Sequence, residues 1–484
     1  MHTRGTVIQP LLASTSLAAA GLAASSGLLF TGAASAGSRS IDCQPVQVAK
    51  CVAPDGSSED YFGLSADIDG DTFVVGSIWD DSNGYNSGSA YVFTQVDGSW
   101  FFQAKLLPSD GAVNDNFGRS VGISGDTIVV GANLDDDHGS DSGSAYVFVR
   151  QGSAWVQQAK LLAADGAPND RMGWSSDISG DTIVVSSHRN DDHGTDSGSA
   201  YVFVRGAGDS WSQEAKLTAS DGAADDLFGH SVTVSGDTVL AGAYHDDDHG
   251  SDSGSAYVFV RGAGSAWTQQ AKLTASDANV GYHFGRFVDL DEDVALIGSP
   301  MWWPLNFGAA YVFRRNGTSW LEEAQLTSDV PTSQEWFGSD VAICSGRAVV
   351  GTLYFYLNGP GAAYVFAYDD GQWTFEHKIV PSDAQNGDEF GAEVALDGET
   401  AIITSDADDD AGYNSGSVYV WDLNCTSSGC TGDLNEDGVV NIDDLFTVLG
   451  AWGTCDECVE DINDDGKVDI DDIFALLGAW GPCP

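Results

Sequence analysis

Short apolar segments rich in Val, Ile, Tyr and Phe alternate with turns rich in Gly, Asp and Ser along most of the chain, a pattern that predicts many short β-strands. A Phe-Gly pair, replaced once by Met-Gly, recurs at intervals of 53 to 56 residues. The first residues of these pairs are Phe62, Phe117, Met172, Phe228, Phe284, Phe337 and Phe390. A segment similar to Ala-Tyr-Val-Phe follows each pair, with its tyrosine at Tyr91, Tyr146, Tyr201, Tyr257, Tyr311, Tyr364 or Tyr419. The chain therefore contains seven related units.

Each unit contains four predicted strands. In the second unit they are FGRSVGI, TIVVGA, SAYVFVR and WVQQAKL, separated by polar turns. One four-stranded sheet cannot bury both of its faces, but seven sheets arranged radially can, which predicts an all-β seven-bladed propeller. A linear β-solenoid is the alternative, although its repeats are shorter.

The two ends of the repeat region predict that the ring closes. The segment from Cys43 to Cys51 aligns with the fourth strand of unit two, whereas the last unit stops after its third strand. The N-terminal strand is therefore expected to complete the last blade. In this alignment Cys43 and Cys425 occupy neighbouring hairpin positions, so a Cys43–Cys425 disulfide would replace the covalent turn that the ring lacks. Cys51 and Cys344 have no obvious partner.

The repeated segments FGxSVxISGDTxVVGA and GSAYVF resemble FG-GAP repeats, the units of integrin α-subunit propellers and of many secreted bacterial proteins. The resemblance extends over residues 45–424 and implies a binding platform, within a propeller domain at 43–425. Integrin-type repeats often hold Ca²⁺ between strands one and two. Here that loop is as short as Ile-Ser-Gly-Asp-Thr, so that calcium site is not expected in this chain.

Composition limits the partners and the compartment. The chain has 72 Asp and Glu against 19 Lys and Arg, a formal net charge of −53. Nucleic acid and anionic membranes are therefore poor partners, whereas Ca²⁺, cationic proteins and neutral glycans remain open. An uncharged run rich in Ala, Leu and Ser ends in Ala34-Ser35-Ala36, which predicts a secretory signal peptide over residues 1–36. An uncleaved membrane anchor is the alternative. Secretion would permit disulfides among the eight cysteines.

The loops between predicted strands two and three are acidic in most blades. Oxygen-bearing residues occupy alternate positions around a glycine, as they do in tight Ca²⁺ loops. The candidate ligands in blades two to four are Asp135, Asp137, Asp141, Asn190, Asp192, Asp196, Asp246, Asp248 and Asp252. The alternative is a solvated loop in which these residues serve turn geometry.

Blades five and six depart from this acidic pattern and carry PMWWPLNFG and LYFYLNGPG instead. These loops are expected on the same face of the ring, with an incoming loop that adds one more tryptophan. The candidate ligand-binding residues are Trp302, Trp303, Trp336, Tyr354, Phe355 and Tyr356. Exposed aromatic side chains could stack on sugar rings or bind a protein segment. Alternatively, they pack on one another to fill shortened loops.

After a linker at residues 426–432 the composition changes abruptly. DLNEDGVVNIDDLFTVLGAWG and DINDDGKVDIDDIFALLGAWG are duplicates 28 residues apart, each a loop followed by a helical apolar pattern. Acidic and amide side chains at loop positions 1, 3, 5, 9 and 12, with a position-7 carbonyl, predict Ca²⁺ binding in both loops. The predicted ligands are Asp433, Asn435, Asp437, Val439, Asn441 and Asp444, then Asp461, Asn463, Asp465, Lys467, Asp469 and Asp472.

This pair resembles a type I dockerin domain, which implies a small α-helical, EF-hand-like calcium module at residues 433–484. Dockerins bind Ca²⁺ and dock onto cohesin modules, often beside polysaccharide-degrading enzymes. Both repeats carry Ile-Asp at loop positions 10 and 11, where the family often has small hydroxyl residues, so another docking protein is an alternative to cohesin. Cys430, Cys455, Cys458 and Cys483 frame the repeats. They could pair within each repeat, or as Cys430–Cys483 with Cys455–Cys458.

Two functions follow from these patterns. The first is a secreted, non-catalytic binding or adhesion protein whose propeller binds a glycan or protein and whose tail docks to a partner. The second is a polysaccharide-active hydrolase or lyase in an extracellular assembly. No distinct catalytic set stands out from the repeats, and Glu335 is the lone acid beside the aromatic sector. The first function is therefore favoured.

Overall fold

Seven four-stranded antiparallel sheets occupy the chain from Val46 to Asp422 in the computed structural model. The structure describes residues 44–300, 307–329, 335–353, 359–424, 434, 439–440, 442–454, 462, 467–478 and 481–482. The predicted signal peptide and the predicted Cys43–Cys425 disulfide lie outside these residues.

The strands follow one another in the order that the repeats predict. The chain begins with β1 (Val46–Cys51). Blade one contains β2 (Phe62–Asp69), β3 (Thr72–Ser77), β4 (Ser89–Val96) and β5 (Ser99–Leu106). Blade two contains β6 (Phe117–Ser124), β7 (Thr127–Ala132), β8 (Ser144–Gln151) and β9 (Ala154–Leu161). Blade three contains β10 (Ser176–Ser179), β11 (Thr182–Ser187), β12 (Ser199–Arg205) and β13 (Trp211–Leu217).

The later blades repeat this arrangement. Blade four contains β14 (Val232–Ser235), β15 (Thr238–Ala243), β16 (Ser255–Arg261) and β17 (Trp267–Leu273). Blade five contains β18 (Phe287–Asp291), β19 (Val294–Ser299), β20 (Ala309–Asn316) and β21 (Ser319–Leu326). Blade six contains β22 (Trp336–Cys344), β23 (Arg347–Leu353), β24 (Ala362–Asp369) and β25 (Gln372–Ile379). Blade seven contains β26 (Phe390–Asp397), β27 (Thr400–Ser405) and β28 (Ser417–Asp422), and β1 is its fourth strand.

The predicted ring closure is confirmed. Strand β1 pairs antiparallel with β28, with Val46 opposite Asp422 and Cys51 opposite Val418. The first strand of each blade contacts the first strand of the next, and β26 contacts β2. The sheets therefore form a closed seven-bladed propeller, with the first strands around a central channel.

The hydrophobic core lies between adjacent blades rather than within one sheet. Between blades one and two, Val92 packs against Phe117 and Ile128, and similar buried clusters join the other neighbouring blades. The Phe117 and Tyr146 rings meet edge to face, 5.5 Å apart. Met172 takes the phenylalanine position in blade three and is 1% exposed. The apolar residues of the repeats thus pack neighbouring sheets against each other.

A ring of hydrogen bonds surrounds the channel where strands one and two are joined. First strands of neighbouring blades do not pair as a ladder, so side chains accept the backbone N–H groups of the following blade, over 2.6 to 3.3 Å. The acceptors are Asp69, Ser124, Ser179, Ser235, Asp291, Cys344 and Asp397, one from each blade. Cys344 therefore has a structural role as a free thiol, and Cys51 is a buried free thiol.

The C-terminal segment contains two short helices, α1 (Ile442–Gly450) and α2 (Ile470–Gly478). Two-residue strands accompany them: β29 (Val439–Val440) pairs with β32 (Gly481–Pro482), and β30 (Gly453–Thr454) pairs with β31 (Lys467–Val468). A small core unites the two repeats through Val440, Val448, Val468 and Leu476. Within the described residues, no helix is long and apolar enough to cross a membrane.

Candidate functional site

The acidic loop of blade two is closed by its own hydrogen bonds. The Oδ1 atom of Asp135 accepts the N–H of Asp137 at 3.2 Å, and the Oδ1 atom of Asp136 accepts the N–H of Asp141 at 2.8 Å. Asp141 has a φ of 53°, and Gly139 has a φ of 120°. The alternation of acidic residues and glycine therefore matches the turn geometry of this loop.

A lysine from strand four binds the same carboxylates. The Nζ atom of Lys160 lies 2.8 Å from Asp135, 2.7 Å from Asp137 and 2.9 Å from Asp110. The Tyr146 hydroxyl donates to Asp135 at 3.0 Å. Burial alone would lower the pKa of Lys160, but its hydrogen bonds to the carboxylates outweigh burial and raise that pKa. The acid that begins the loop is thus part of a buried lysine, tyrosine and aspartate network.

The network recurs around the ring. Its other lysines are Lys50, Lys105, Lys216 and Lys272. In blade four the ligand atoms of Asp221, Asp246 and Asp248 lie within 4.8 Å of one another, close enough to hold a metal ion. Lys272 Nζ lies 2.8, 2.9 and 2.5 Å from those three carboxylates. An ammonium group occupies the position that Ca²⁺ would need, and calcium in the propeller loops stays a prediction.

Replacing Lys272 with glutamine should destabilise the propeller by about 3 kcal/mol, because it leaves the buried Asp246 carboxylate unpaired. Urea denaturation measures this loss. A second variant that adds Asp246→Asn and Asp248→Asn should recover much of the stability, since both sides of the pair are then neutral.

The same proteins test calcium in the loops. Millimolar Ca²⁺ should raise the melting temperature of the propeller in the Lys272→Gln variant and leave it unchanged in the parent protein. An equal shift in both would show that calcium binds beside the lysine.

Blade five has lost both halves of this network. Gln325 stands at the lysine position, and its Nε2 atom lies 3.0 Å from the Tyr311 hydroxyl and 3.3 Å from Asp277. The acidic residue is replaced by Trp302. The predicted aromatic ligand residues Trp302, Trp303, Tyr354, Phe355 and Tyr356 lie outside the described residues.

The prediction that Trp336 belongs to an exposed aromatic sector is wrong. Trp336 is the first residue of β22, pairs with Leu353 and is 5% exposed. In blade six the first strand starts one residue earlier than in blades one, two and seven, which places this side chain in the sheet rather than in the incoming loop. Its neighbour Glu335 is 1% exposed and accepts a hydrogen bond from the Tyr364 hydroxyl at 2.8 Å. Glu335 takes a structural role that aspartates have in other blades.

A cavity of about 320 Å³ lies in the central channel, lined by the first strands of all seven blades. Its wall includes Arg119, Trp174, His230 and Glu393. Sequence reasoning missed this group, although one signal was available. The residue directly after each Phe-Gly or Met-Gly pair varies and is basic or aromatic in blades two to five, where it is Arg119, Trp174, His230 and Arg286.

The C-terminal repeats place their position-12 acids alike. Asp444 Oδ1 accepts the N–H of Leu434 at 2.7 Å, and Asp472 Oδ1 accepts the N–H of Ile462 at 2.8 Å. Both carboxyl side chains are fully buried. Asp472 Oδ2 also accepts the N–H of Asp469 at 2.7 Å. A buried acid thus closes each loop from position 12 to position 2, which fits an all-oxygen calcium site.

The other predicted loop ligands divide into two groups. Those outside the described residues are Asp433, Asn435, Asp437, Asn441, Asp461, Asn463 and Asp465. Val439 and Lys467 lie in the short strands β29 and β31, where their carbonyl groups follow the loop glycines.

Comparisons with known proteins bear on the propeller. The family model described as "FG-GAP repeat" matches seven segments, residues 45–93, 100–148, 155–203, 211–259, 267–313, 320–366 and 373–421. Each segment runs from the fourth strand of one blade to the third strand of the next. No curated protein matches the chain.

Two similar solved structures have different titles. One chain of "Crystal Structure of Mitotic Checkpoint Complex" has a TM-score of 0.48 and 13% identity, covering 84% of this chain and 98% of that chain. Sqt1 from Saccharomyces cerevisiae has a TM-score of 0.44 and 13% identity, covering 76% of this chain and 84% of that chain.

Proposed function

The chain belongs to the FG-GAP repeat family, and we propose that it is a secreted, non-catalytic binding or adhesion protein. Its propeller acts as the recognition platform, and its C-terminal repeats form a calcium-binding, dockerin-like module that docks to a partner protein. A propeller of FG-GAP repeats favours a binding or adhesion role, and such propellers are typically extracellular. The predicted signal peptide and the acidic surface agree with that location.

One observation carries the docking part of the proposal: the two short helices expose matching apolar faces. Ile442, Phe446 and Leu449 on α1 are 55%, 62% and 46% exposed. The equivalent residues of α2, Ile470, Phe474 and Leu477, are 56%, 63% and 48% exposed. Their spacing of four and three residues places them on one side of each helix.

The two helices expose these apolar residues even though other residues of the same helices form a core. Val448 and Leu476 are fully buried between the repeats, so each helix has an inward face and a separate outward apolar face. Exposed apolar faces of this kind mark interaction surfaces. Their duplication fits a partner such as a cohesin-like module, which would bury one or both helices.

Calcium supports this surface indirectly. The loops that precede α1 and α2 each end in a buried aspartate, and their remaining predicted ligands carry oxygen atoms. We infer that Ca²⁺ fixes the start of each helix and so keeps the apolar faces in place.

The ligand-binding part of the proposal rests on the propeller face that carries the loops between strands two and three. The aromatic sequences of blades five and six interrupt its acidic loops, and a glycan or an apolar protein segment fits such a change. The alternative hydrolase or lyase gains no support from Glu335, because that carboxylate is buried and bonded to Tyr364 and Ser328.

The docking proposal is tested by binding of the full-length protein to immobilised cohesin modules in the presence of Ca²⁺. A double variant, Phe446→Ser with Phe474→Ser, should weaken binding about 100-fold, because it removes the central apolar contact from both helices.

The matched control for this test is Val113→Ser, which changes a 55% exposed apolar residue of the propeller and should bind as the parent does. Equal binding by the double variant would contradict the assignment of the surface. Sedimentation analysis tests whether a second copy of this chain is the partner. A dimer that the double variant disrupts would show that the faces join two copies.

A further inference from the structure

Arginine, histidine and aromatic side chains gather where the central channel opens on the face of the acidic loops. These residues either directly follow the Phe-Gly or Met-Gly pairs or lie beside the start of strand one or the end of strand two, which are paired to each other. We call this group the channel-mouth cluster. Its members are Arg119, Arg171, Trp174, His188, Arg189, His230, Tyr244, His245, His283 and Arg286.

The cluster is continuous from blade two to blade five. The Arg119 guanidinium lies 3.8 Å from the centre of the Trp174 ring. The Trp174 and His188 rings are 4.3 Å apart, the His188 and His230 rings 6.0 Å, and the His230 and Tyr244 rings 4.5 Å. Side chains from three blades and the strand ends between them therefore form one surface.

The far end of the cluster is built in the same way. The Arg286 guanidinium lies 5.2 Å from the Tyr244 ring centre, and the Tyr244 and His283 rings stack at 5.4 Å. Arg119 and Arg286 thus mark two ends of an aromatic and imidazole arc, each with its positive charge against an aromatic ring.

Three arginines of this cluster lack the direct ion pairs that other arginines of the propeller form, although Asp141 and Asp196 raise the pKa of Arg171. Arginines of the outer strands stack on tryptophan and also form ion pairs, namely Arg150 with Asp126, Arg205 with Asp181, and Arg315 with Asp293. Arg119, Arg171 and Arg189 form no ion pair within the described chain. The Nε atoms of Arg171 and Arg189 are buried without a hydrogen-bond partner among the described residues.

Six acids also line the adjoining cavity, namely Asp67, Asp177, Asp289, Asp291, Asp340 and Glu393, and burial opposes the ionisation of those nearest to full burial. Burial raises the pKa of Asp340 to about 8, and burial together with repulsion from Asp340 raises the pKa of Glu393 well above its usual range. Burial therefore favours the uncharged form of both carboxyl groups, and Arg119 opposes this at Glu393. Arg119 stays charged, because burial lowers its pKa only to about 10.

The histidines act as neutral hydrogen-bonding groups. Burial lowers the pKa of His188 and His230 well below the usual range, and nearby arginines lower both further. Neutral imidazoles offer N–H donors without adding charge. A site with several guanidinium groups and neutral imidazole donors suits one negative charge on a polar molecule.

We propose that the channel-mouth cluster binds the carboxylate of a small organic acid of about monosaccharide size. Half-buried guanidinium groups without a direct ion pair gain free energy from an anionic ligand, and Arg119, Arg171 and Arg189 are in this state in a protein whose net charge is −53. The adjoining cavity of about 320 Å³ has the size of a small-molecule site. The carboxylate binds Arg119 and Arg189, whose charges both act on His188, the ring of the ligand lies beside Trp174, and hydroxyl groups meet Glu393 and Asp340.

Calorimetric titration of the full-length protein at pH 7 tests this site, with glucuronate as the probe. Glucose is the neutral match, and inorganic sulfate is a second anion. Glucuronate should bind and glucose should not. Arg119→Gln and Arg189→Gln should each weaken glucuronate binding about tenfold or more, because each removes a charge-assisted hydrogen bond.

Arg314→Gln is the matched control, since it removes one positive charge from a surface arginine that pairs with Glu323. It should leave glucuronate binding unchanged. Melting temperatures close to that of the parent identify variants that fold. Equal responses to glucuronate and glucose, parent-like binding by both folded arginine variants, or binding of sulfate alone would overturn the proposal. The site shares no residue with the docking helices or the aromatic loops, so its failure would leave the proposed function intact.

Discussion

Replacing Gly143 with alanine should lower the free energy of unfolding of the propeller by about 4 kcal/mol or more, the range of severe packing defects. Gly143 precedes the third strand of blade two and forms a parallel bridge to Met172 of blade three. A Cβ atom there would lie 2.1 Å from the Met172 carbonyl oxygen and 2.4 Å from its nitrogen. These are backbone atoms, which cannot rotate away. The bridge between the two blades would therefore have to open.

Gly152→Ala in the same blade is the matched control. Gly152 also has a positive φ, 67° against 77° at Gly143, but a Cβ atom there meets nothing within 4 Å. The Gly152→Ala variant should lose only about 1–2 kcal/mol of unfolding free energy, the cost of placing alanine at a positive φ. Urea denaturation of both variants separates backbone strain from overlap. Equal losses would show that the approach of the two blades is not the reason for the glycine.

Removal of Ca²⁺ should unfold α1 and α2 while the propeller stays folded. The buried Asp444 and Asp472 carboxylates belong to loops whose sequences carry further acidic residues, so the loops repel themselves without the ion, and only a small core holds the helices. Hydrogen exchange followed by mass spectrometry reports on each region separately. Peptides that cover α1 and α2 should exchange about tenfold faster or more after chelation, under reducing conditions that remove any disulfide.

A pair of single substitutions separates ligand loss from charge loss in this experiment. Asp472→Asn removes a predicted ligand and should expose α2 even in calcium. Asp471→Asn makes the same chemical change at an exposed neighbouring position and should keep the protection of the parent protein. Exchange in α1 and α2 that does not respond to chelation would contradict a calcium-dependent tail.

The architecture could be predicted from sequence because it depends on repetition. Seven units with the same strand pattern leave few arrangements that bury both faces of every sheet, and the fourth-strand pattern before the first unit identifies β1 as the closing strand. Each of these features is written in consecutive residues. The register of β1 on β28 followed from the alignment of the repeats for the same reason.

The chemistry of the faces depends instead on residues that are distant in the chain. Lys160 follows Asp135 by 25 residues, and no local sequence pattern joins the two residues. The arginines of the channel-mouth cluster lie at least 18 residues apart in the chain, so no short motif contains two of them. Trp336 was placed wrongly because one extra strand residue, paired with Leu353, decides between exposure and burial.

The closure of blade seven also sets an order of events. Strand β1 is synthesised first, yet its partner β28 is nearly the last part of the propeller to be made. Until residues 417–422 emerge, β1 has no native neighbour, whereas the middle blades are each formed by consecutive hairpins. We expect the middle blades to fold early and the two ends of the chain to join late, as non-local pairing does. Ring closure is therefore the last folding step, and both faces of the propeller are complete only in a chain translated at least as far as Asp422.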